Sequence, residues 1–137
     1  MPGLPLPPAI DDFLSRPNPA VMATLRPDGS PHTAPTWYDW EDGRALVNME
    51  ASRRRLAHIR RDPRVAMSVL DDDSWYRHVT LSGRVVSIEA DPDHRDMDRL
   101  SVRYTGLPHE RRDQERWSAW VAITSWYGWV GSGPWLG

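Results

Sequence analysis

Apolar and polar residues alternate with a period of two along most of this chain, and Pro, Gly and Asp interrupt the alternation at short intervals. Such punctuation predicts short strands joined by tight turns. Residues 2–8 are too rich in proline for regular structure. Residues 9–15 place Ile10, Phe13 and Leu14 at helical spacing, with Asp11 and Asp12 in the favourable first turn, which predicts a short helix. Residues 20–26 follow as a strand, Pro27-Asp28-Gly29 as a turn, and residues 32–40 as the return strand of a hairpin. Glu41-Asp42-Gly43 turns the chain into a strand at residues 45–49. Ser52 then reads as the N-cap of a helix over residues 53–61, with Leu56, Ile59 and Arg60 on one face. Strands at residues 65–70 and 76–88 flank an acidic turn, and Gly83 marks a bulge in the second. Asp91-Pro92 caps a helix over residues 93–104, which buries Met97, Leu100 and Val102 before Gly106-Leu107-Pro108 breaks it. Residues 109–116 read as a short charged helix or a loop, and residues 117–130 as the closing strand. Six strands, three or four helices and no βαβ alternation predict a mainly β protein, an antiparallel barrel with peripheral helices.

Composition narrows the chemistry. At 137 residues the prior is one domain spanning the whole chain, with a core modest enough that a partner subunit would reinforce it. A net charge of −2 gives no global case for nucleic acid, and no apolar run approaches a membrane span. The first eight residues lack the basic start and apolar stretch of a signal peptide, so the expectation is a cytoplasmic protein. Cysteine is absent, which removes disulfides, thiolate metal sites and cysteine nucleophiles. All 17 basic residues are arginine, which excludes chemistry through a lysine Schiff base. Eight tryptophans stand against one phenylalanine. Trp126 and Trp129 are expected at a subunit interface, where tryptophan is enriched.

The densest chemical signal is Asn48-Met49-Glu50-Ala51-Ser52-Arg53-Arg54-Arg55, a strand running into a helix start that bears a hydroxyl and three guanidinium groups. Oriented amides and guanidinium forks bind phosphate oxygens; a solvated basic turn fits the spacing equally well. Cations at a helix N-terminus oppose the macrodipole, a local conflict expected at functional sites. Arg60, Arg61 and Arg64 read as surface charges. A second surface, Pro35-Thr36-Trp37-Tyr38, offers flat side chains for a planar ligand or simply fills a core. The five histidines show no metal-ligand spacing, although His58 lies one turn beyond Arg54 and Arg55.

Taken together, Thr24-Leu25-Arg26-Pro27-Asp28-Gly29-Ser30-Pro31-His32, then Pro35-Thr36-Trp37, resemble the opening of the pyridoxamine 5′-phosphate oxidase-like proteins. Arg60-Arg61-Asp62-Pro63-Arg64-Val65, Leu81-Ser82-Gly83-Arg84-Val85 and Arg103-Tyr104-x-Gly106 are similar to the small branch that uses the deazaflavin coenzyme F-420. The resemblance covers residues 20–129. It implies a six-stranded split β-barrel homodimer with two cofactor sites at the subunit interface, the cofactor phosphate and tail lying against residues 52–55. Relatives place a lysine followed three residues later by asparagine there; this chain has Arg55 and His58, which keeps the charge but departs at the second position. True pyridoxamine phosphate oxidases hold the FMN phosphate with an arginine and a lysine on the strand matching residues 34–39. Here Ala34 and Asp39 stand in those positions, and each lost charged contact removes about 1.5–3 kcal/mol, which favours the deazaflavin over FMN.

The expectation is therefore an oxidoreductase that transfers hydride from reduced coenzyme F-420 to an unsaturated or quinone-like small molecule. Ser52, Arg53, Arg54 and Arg55 hold phosphate or a polyanionic tail, with His58 beside them. Asn48 and Met49 offer backbone groups to the ring, Thr36 and Trp37 flank it, and Trp75 and Tyr76 close the site from the partner subunit. No catalytic acid or base and no metal are expected, because the cofactor carries the hydride. The rivals are an FMN-dependent relative, a non-catalytic protein that sequesters a flavin, deazaflavin or haem, and, last, a barrel binding single-stranded nucleic acid, since the arginines cluster at one turn rather than along a groove.

Overall fold

The computed structural model describes residues 4–137, so the first part of the irregular tail expected at residues 2–8 lies outside the described residues. Three helices and seven strands follow in the order α1 (Pro8–Leu14), β1 (Ala20–Leu25), β2 (Pro31–Thr36), β3 (Asp39–Glu41), β4 (Arg44–Glu50), α2 (Arg54–Arg61), β5 (Arg64–Leu70), β6 (Arg77–Ala90), α3 (Arg95–Thr105) and β7 (Arg116–Val130). All seven strands join one antiparallel sheet of order β2-β1-β5-β6-β7-β4-β3.

The strand order explains the barrel. β2 and β3 stand at opposite ends of the sheet, yet only Trp37 and Tyr38 connect them. The three Cα–Cα steps from Thr36 to Asp39 span at most roughly 10–11 Å, so the sheet must curl until its ends meet. The seven strands replace the six expected because residues 32–40 are not one strand. Tyr38 is fully buried, and its single hydroxyl hydrogen is shared between the carbonyls of Leu14 (2.7 Å) and Arg16 (3.1 Å). That anchorage pulls the chain out of β2 and across to β3. Closure is incomplete: β3 pairs only with Arg44, Ala45 and Leu46, so the second half of β4 has no strand on that side. This gap is the split, and it faces β2.

The interior is filled by alternate residues, among them Met22, Val47, Met67, Val79, Leu81 and Val121, with Ile10, Phe13 and Leu14 of α1 and Leu56 and Ile59 of α2 packed onto them. Trp126 belongs to this core at 2% exposure, which corrects its expected place at an interface. Gly83 sits at the predicted bulge, where a Cβ would lie 2.4 Å from the Ala122 carbonyl oxygen. Val102 is exposed rather than buried; Met97, Leu100 and Ser101 form the covered side of α3. Asp91 does cap α3, its carboxylate accepting the amides of Asp96 and Met97, although the helix begins two residues later than expected. Residues 109–115 form no helix. No helix among the described residues is long and apolar enough to cross a membrane.

Candidate functional site

Two adjoining cavities occupy the split between β2 and the second half of β4. The first, about 510 Å³, is lined by Pro35, Thr36 and Trp37 with Tyr104, and by Asn48, Arg55, Met97, Leu100 and Arg116. The second, about 640 Å³, runs along the start of α2 and is lined by His32, Ala34, Pro35, Met49, Glu50, Ser52, Arg53, Arg54, Arg55 and Arg116. Pro35, Arg55 and Arg116 line both, so the two form one continuous depression. Their size suits small-molecule or cofactor recognition.

The first cavity has a flat wall. Trp37 stacks on Tyr104 with ring centroids 5.3 Å apart and planes 7° from parallel. Tyr104 is held in turn by its hydroxyl, which donates to the Asn18 carbonyl at 2.7 Å and accepts the Tyr38 amide. Arg103, beside it, donates to the carbonyls of Tyr38 (2.8 Å), Ser15 (2.8 Å) and Arg16 (2.7 Å) and pairs with Asp39 at 3.1 Å. One helix turn thus fixes the β2–β3 connection, and with it the wall.

The second cavity is electropositive. Among the described residues, none of Arg53, Arg54, Arg55 and Arg116 lies within ion-pair distance of a carboxylate. Arg55 donates instead to the Asn48 carbonyl at 3.0 Å and toward the Met22 sulfur. Burial, then the neighbouring charges of Arg116 and Arg53, push its pKa down to about 10, so it remains cationic at neutral pH. Burial also lowers the pKa of Arg116. A desolvated guanidinium held by neutral acceptors and crowded by like charge lacks a counter-ion, and an anionic ligand would supply one. Glu50 is the one carboxylate in this lining, and it is taken up by the amide and hydroxyl of Ser52.

The structure brings together nearly all the site residues expected from sequence, and displaces a few. Thr36, Trp37, Asn48 and Arg55 line the first cavity; Met49, Ser52, Arg53, Arg54 and Arg55 line the second. Ser52 is not the N-cap of α2. Arg53 takes that position, with no side-chain cap, because the Ser52 hydroxyl is engaged by Glu50. His58 points inward under α2, where it is hydrogen-bonded to Thr24 Oγ1 at 2.8 Å, so it lines neither cavity. Its ring meets the edge of His32, which does reach the groove. Trp75 and Tyr76 lie in the β5–β6 turn, stacked on each other and exposed, outside both cavities. Asp39 pairs with Arg99 and Arg103, so the cations at the β2–β3 crossing are already engaged by a carboxylate. Arg116 and Tyr104 were not legible as site residues. Each follows a loop or ends a helix far along the chain, and only the closed barrel carries them to the split. Among the described residues no cluster of three or more His, Asp or Glu could hold a metal ion.

Solved structures share this architecture. An F420 reductase is 31% identical, with a TM-score of 0.80 over 88% of this chain and 98% of its own. A conserved hypothetical protein of Mycobacterium tuberculosis is 25% identical, with a TM-score of 0.74 over 94% and 87% of the two chains. The General Stress Protein 26 of Bacillus anthracis str. Sterne, at 18% identity and a TM-score of 0.66 over 88% and 90%, shares the fold. Residues 6–130 match the family described as pyridoxamine 5′-phosphate oxidase. The chain belongs to this pyridoxamine 5′-phosphate oxidase family, whose flavin-binding split-barrel fold it adopts.

Proposed function

We propose that this protein is an oxidoreductase dependent on coenzyme F-420, reducing an unsaturated or quinone-like small molecule. The observation that carries the proposal is the continuity of a flat-walled cleft with a groove of four guanidinium groups that form no ion pair with a carboxylate among the described residues. A planar ring bearing a phosphate and an anionic tail matches both halves at once. Trp37 and Thr36 would flank the ring, Asn48 and Met49 border its inner edge, and Arg53, Arg54 and Arg55 with Ser52 would bind the phosphate and tail. When bound, the reduced cofactor supplies the hydride. The protein's part is to orient the ring, exclude water through the apolar lining, and neutralise the tail. The F420 reductase likeness supports the deazaflavin, as does the absence of any cation at Ala34 and Asp39.

A homodimer completes the site in this reading. The outer face of the sheet carries two rows of paired residues, Pro35-Val21-Ser68-Thr80-Tyr127 and Thr33-Ala23-Ala66-Ser82-Ser125, and none of these ten is charged. In a chain with 26% charged residues such a face is suited to cover by a second copy. Pro35 belongs both to this face and to the mouth of each cavity, so the second copy would overhang the cleft. Trp75 and Tyr76 of the partner subunit would then close it.

The test is a side-by-side fluorescence titration of cofactor-free protein with coenzyme F-420 and with FMN. Tighter binding of F-420, followed by oxidation of its reduced form with quinone acceptors, is the expected result. Preference for FMN would replace the deazaflavin with a flavin, and binding without turnover of any acceptor would make the protein a carrier.

A further inference from the structure

Arg116 opens β7 and lines both cavities where they join. Its Nε donates to Asn48 Oδ1 at 2.9 Å and its Nη1 to Gln114 Oε1 at 2.9 Å; Nη2 has no partner among the described residues. Both acceptors are neutral, and the nearby carboxylates of Glu50 and Asp91 form no ion pair with it among the described residues, so the fork is oriented while its charge is offset only in part.

The Asn48 amide has one workable orientation. Its Nδ2 donates to Asp91 Oδ2 (3.1 Å) and to Ser118 Oγ (3.0 Å). The Ser118 hydroxyl gives its single hydrogen to Asp96 Oδ2 at 2.7 Å, so it can only accept from Asn48. Asp91 is locked by the backbone amides of Asp96 (3.1 Å) and Met97 (3.0 Å). A flipped amide would set donors against Arg116 and an oxygen against a buried carboxylate. Asn48 and Asp91 are themselves 4% and 5% exposed, which shields this network from competing water.

We propose that Arg116 is a specificity-determining ligand contact, a guanidinium fork fixed at the junction of ring cleft and basic groove to bind a phosphate group, and that Asn48, backed by Asp91, is its positioning residue. The site therefore selects a phosphorylated ring compound over its phosphate-free counterpart. Asn48 acts here through its side chain, beyond the backbone contact assigned to it above, and the identity of the ring rests on the proposed function.

Wild type, Arg116→Gln, Arg116→Lys and Gln114→Leu are titrated with coenzyme F-420 and with phosphate-free 8-hydroxy-5-deazariboflavin. Arg116→Gln should weaken F-420 on the order of 10- to 100-fold and leave the phosphate-free compound within roughly threefold. Arg116→Lys should recover part of that loss, since lysine keeps the charge but not the fork. Gln114→Leu, which removes one acceptor and leaves the charge, should weaken the phosphorylated ligand alone. Equal losses for both ligands, or no loss, overturn the inference. If wild type binds neither deazaflavin nor FMN, the proposed function fails, and thermal stabilisation by inorganic pyrophosphate decides this inference separately. A rise in Tm that Arg116→Gln abolishes supports it; the same response in both proteins, or none, overturns it.

Discussion

Replacing Arg103 with alanine should be among the most damaging changes outside the apolar core. The side chain is 14% exposed and donates to carbonyls at the end of α1 and at the β2–β3 crossing, while pairing with Asp39. The carbonyls of Leu14, which Arg103 reaches at 3.4 Å, and of the C-cap Ser15 are orphan acceptors left at the end of α1, and that of Arg16 lies one residue beyond. Tyr38 is the strap that closes the barrel, and its carbonyl is one of the four. Each hydrogen bond to a charged donor contributes about 1.5–3 kcal/mol, but they share one side chain and do not add. Ser15 and Arg16 are exposed and regain water on truncation; the Tyr38 carbonyl and Asp39 do so less readily. The loss from breaking a largely buried charged contact is therefore about 3–5 kcal/mol. For a chain of this size that corresponds to a fall in Tm on the order of 10–20 °C. Urea denaturation followed by tryptophan fluorescence measures it directly. Asp39→Asn should cost less, because it leaves every carbonyl contact of Arg103 in place, and Arg103→Lys should fall between the two. An Arg103→Ala cost below about 1 kcal/mol would refute the claim that this residue holds the barrel closed.

Four further outcomes follow from the geometry. Gly83→Ala must displace the Ala122 backbone, and should destabilise by about 1–3 kcal/mol in a thermal melt. Arg53→Ala combined with Arg55→Ala should reduce F-420 affinity at least 10-fold, at about 1.5–3 kcal/mol per charged contact, with an unchanged circular dichroism spectrum; unchanged affinity would remove these residues from the site. Thr80→Arg, within the uncharged rows of the sheet face, should yield a monomer by light scattering and weaken cofactor binding with it. His58 is held below the ordinary histidine value, first by burial and then by the charges of His32 and the nearby arginines. Its neutral form is the one the fold favours, so the associated stability is full above the unfolded pKa of about 6.5 and is lost as pH falls from there through the lowered folded value. Tm measured from pH 8 to 5 should therefore drop less in His58→Gln than in wild type; parallel curves would show that His58 does not set this dependence.

Much of the architecture was written in local patterns. The Pro-Asp-Gly and Glu-Asp-Gly turns, the period-two alternation of β1 and β5, and the bulge at Gly83 are short-range consequences of φ preference and side-chain sterics, and each stands where the sequence places it. The basic segment at residues 52–55 was legible for the same reason: four neighbours in sequence are neighbours in space. What failed to read were properties that depend on the partner across the fold. Residues 32–40 look like one strand, because nothing local announces that the Tyr38 hydroxyl will find the end of α1. Ser52 looks like a helix cap, but Glu50 competes for its hydroxyl. His58 sits at the right helical spacing to join the arginines, yet the helix rotation set by Leu56 and Ile59 turns it to Thr24. Trp126 could not be assigned from its type alone, since core and interface select the same aromatic surface. Arg116 and Tyr104, separated from residues 36–55 by about half the chain, become site residues only when a seven-stranded sheet curls until its ends meet. Sequence determines what each segment can form; barrel closure decides which segments face one another, because that contact depends on distances no local pattern encodes.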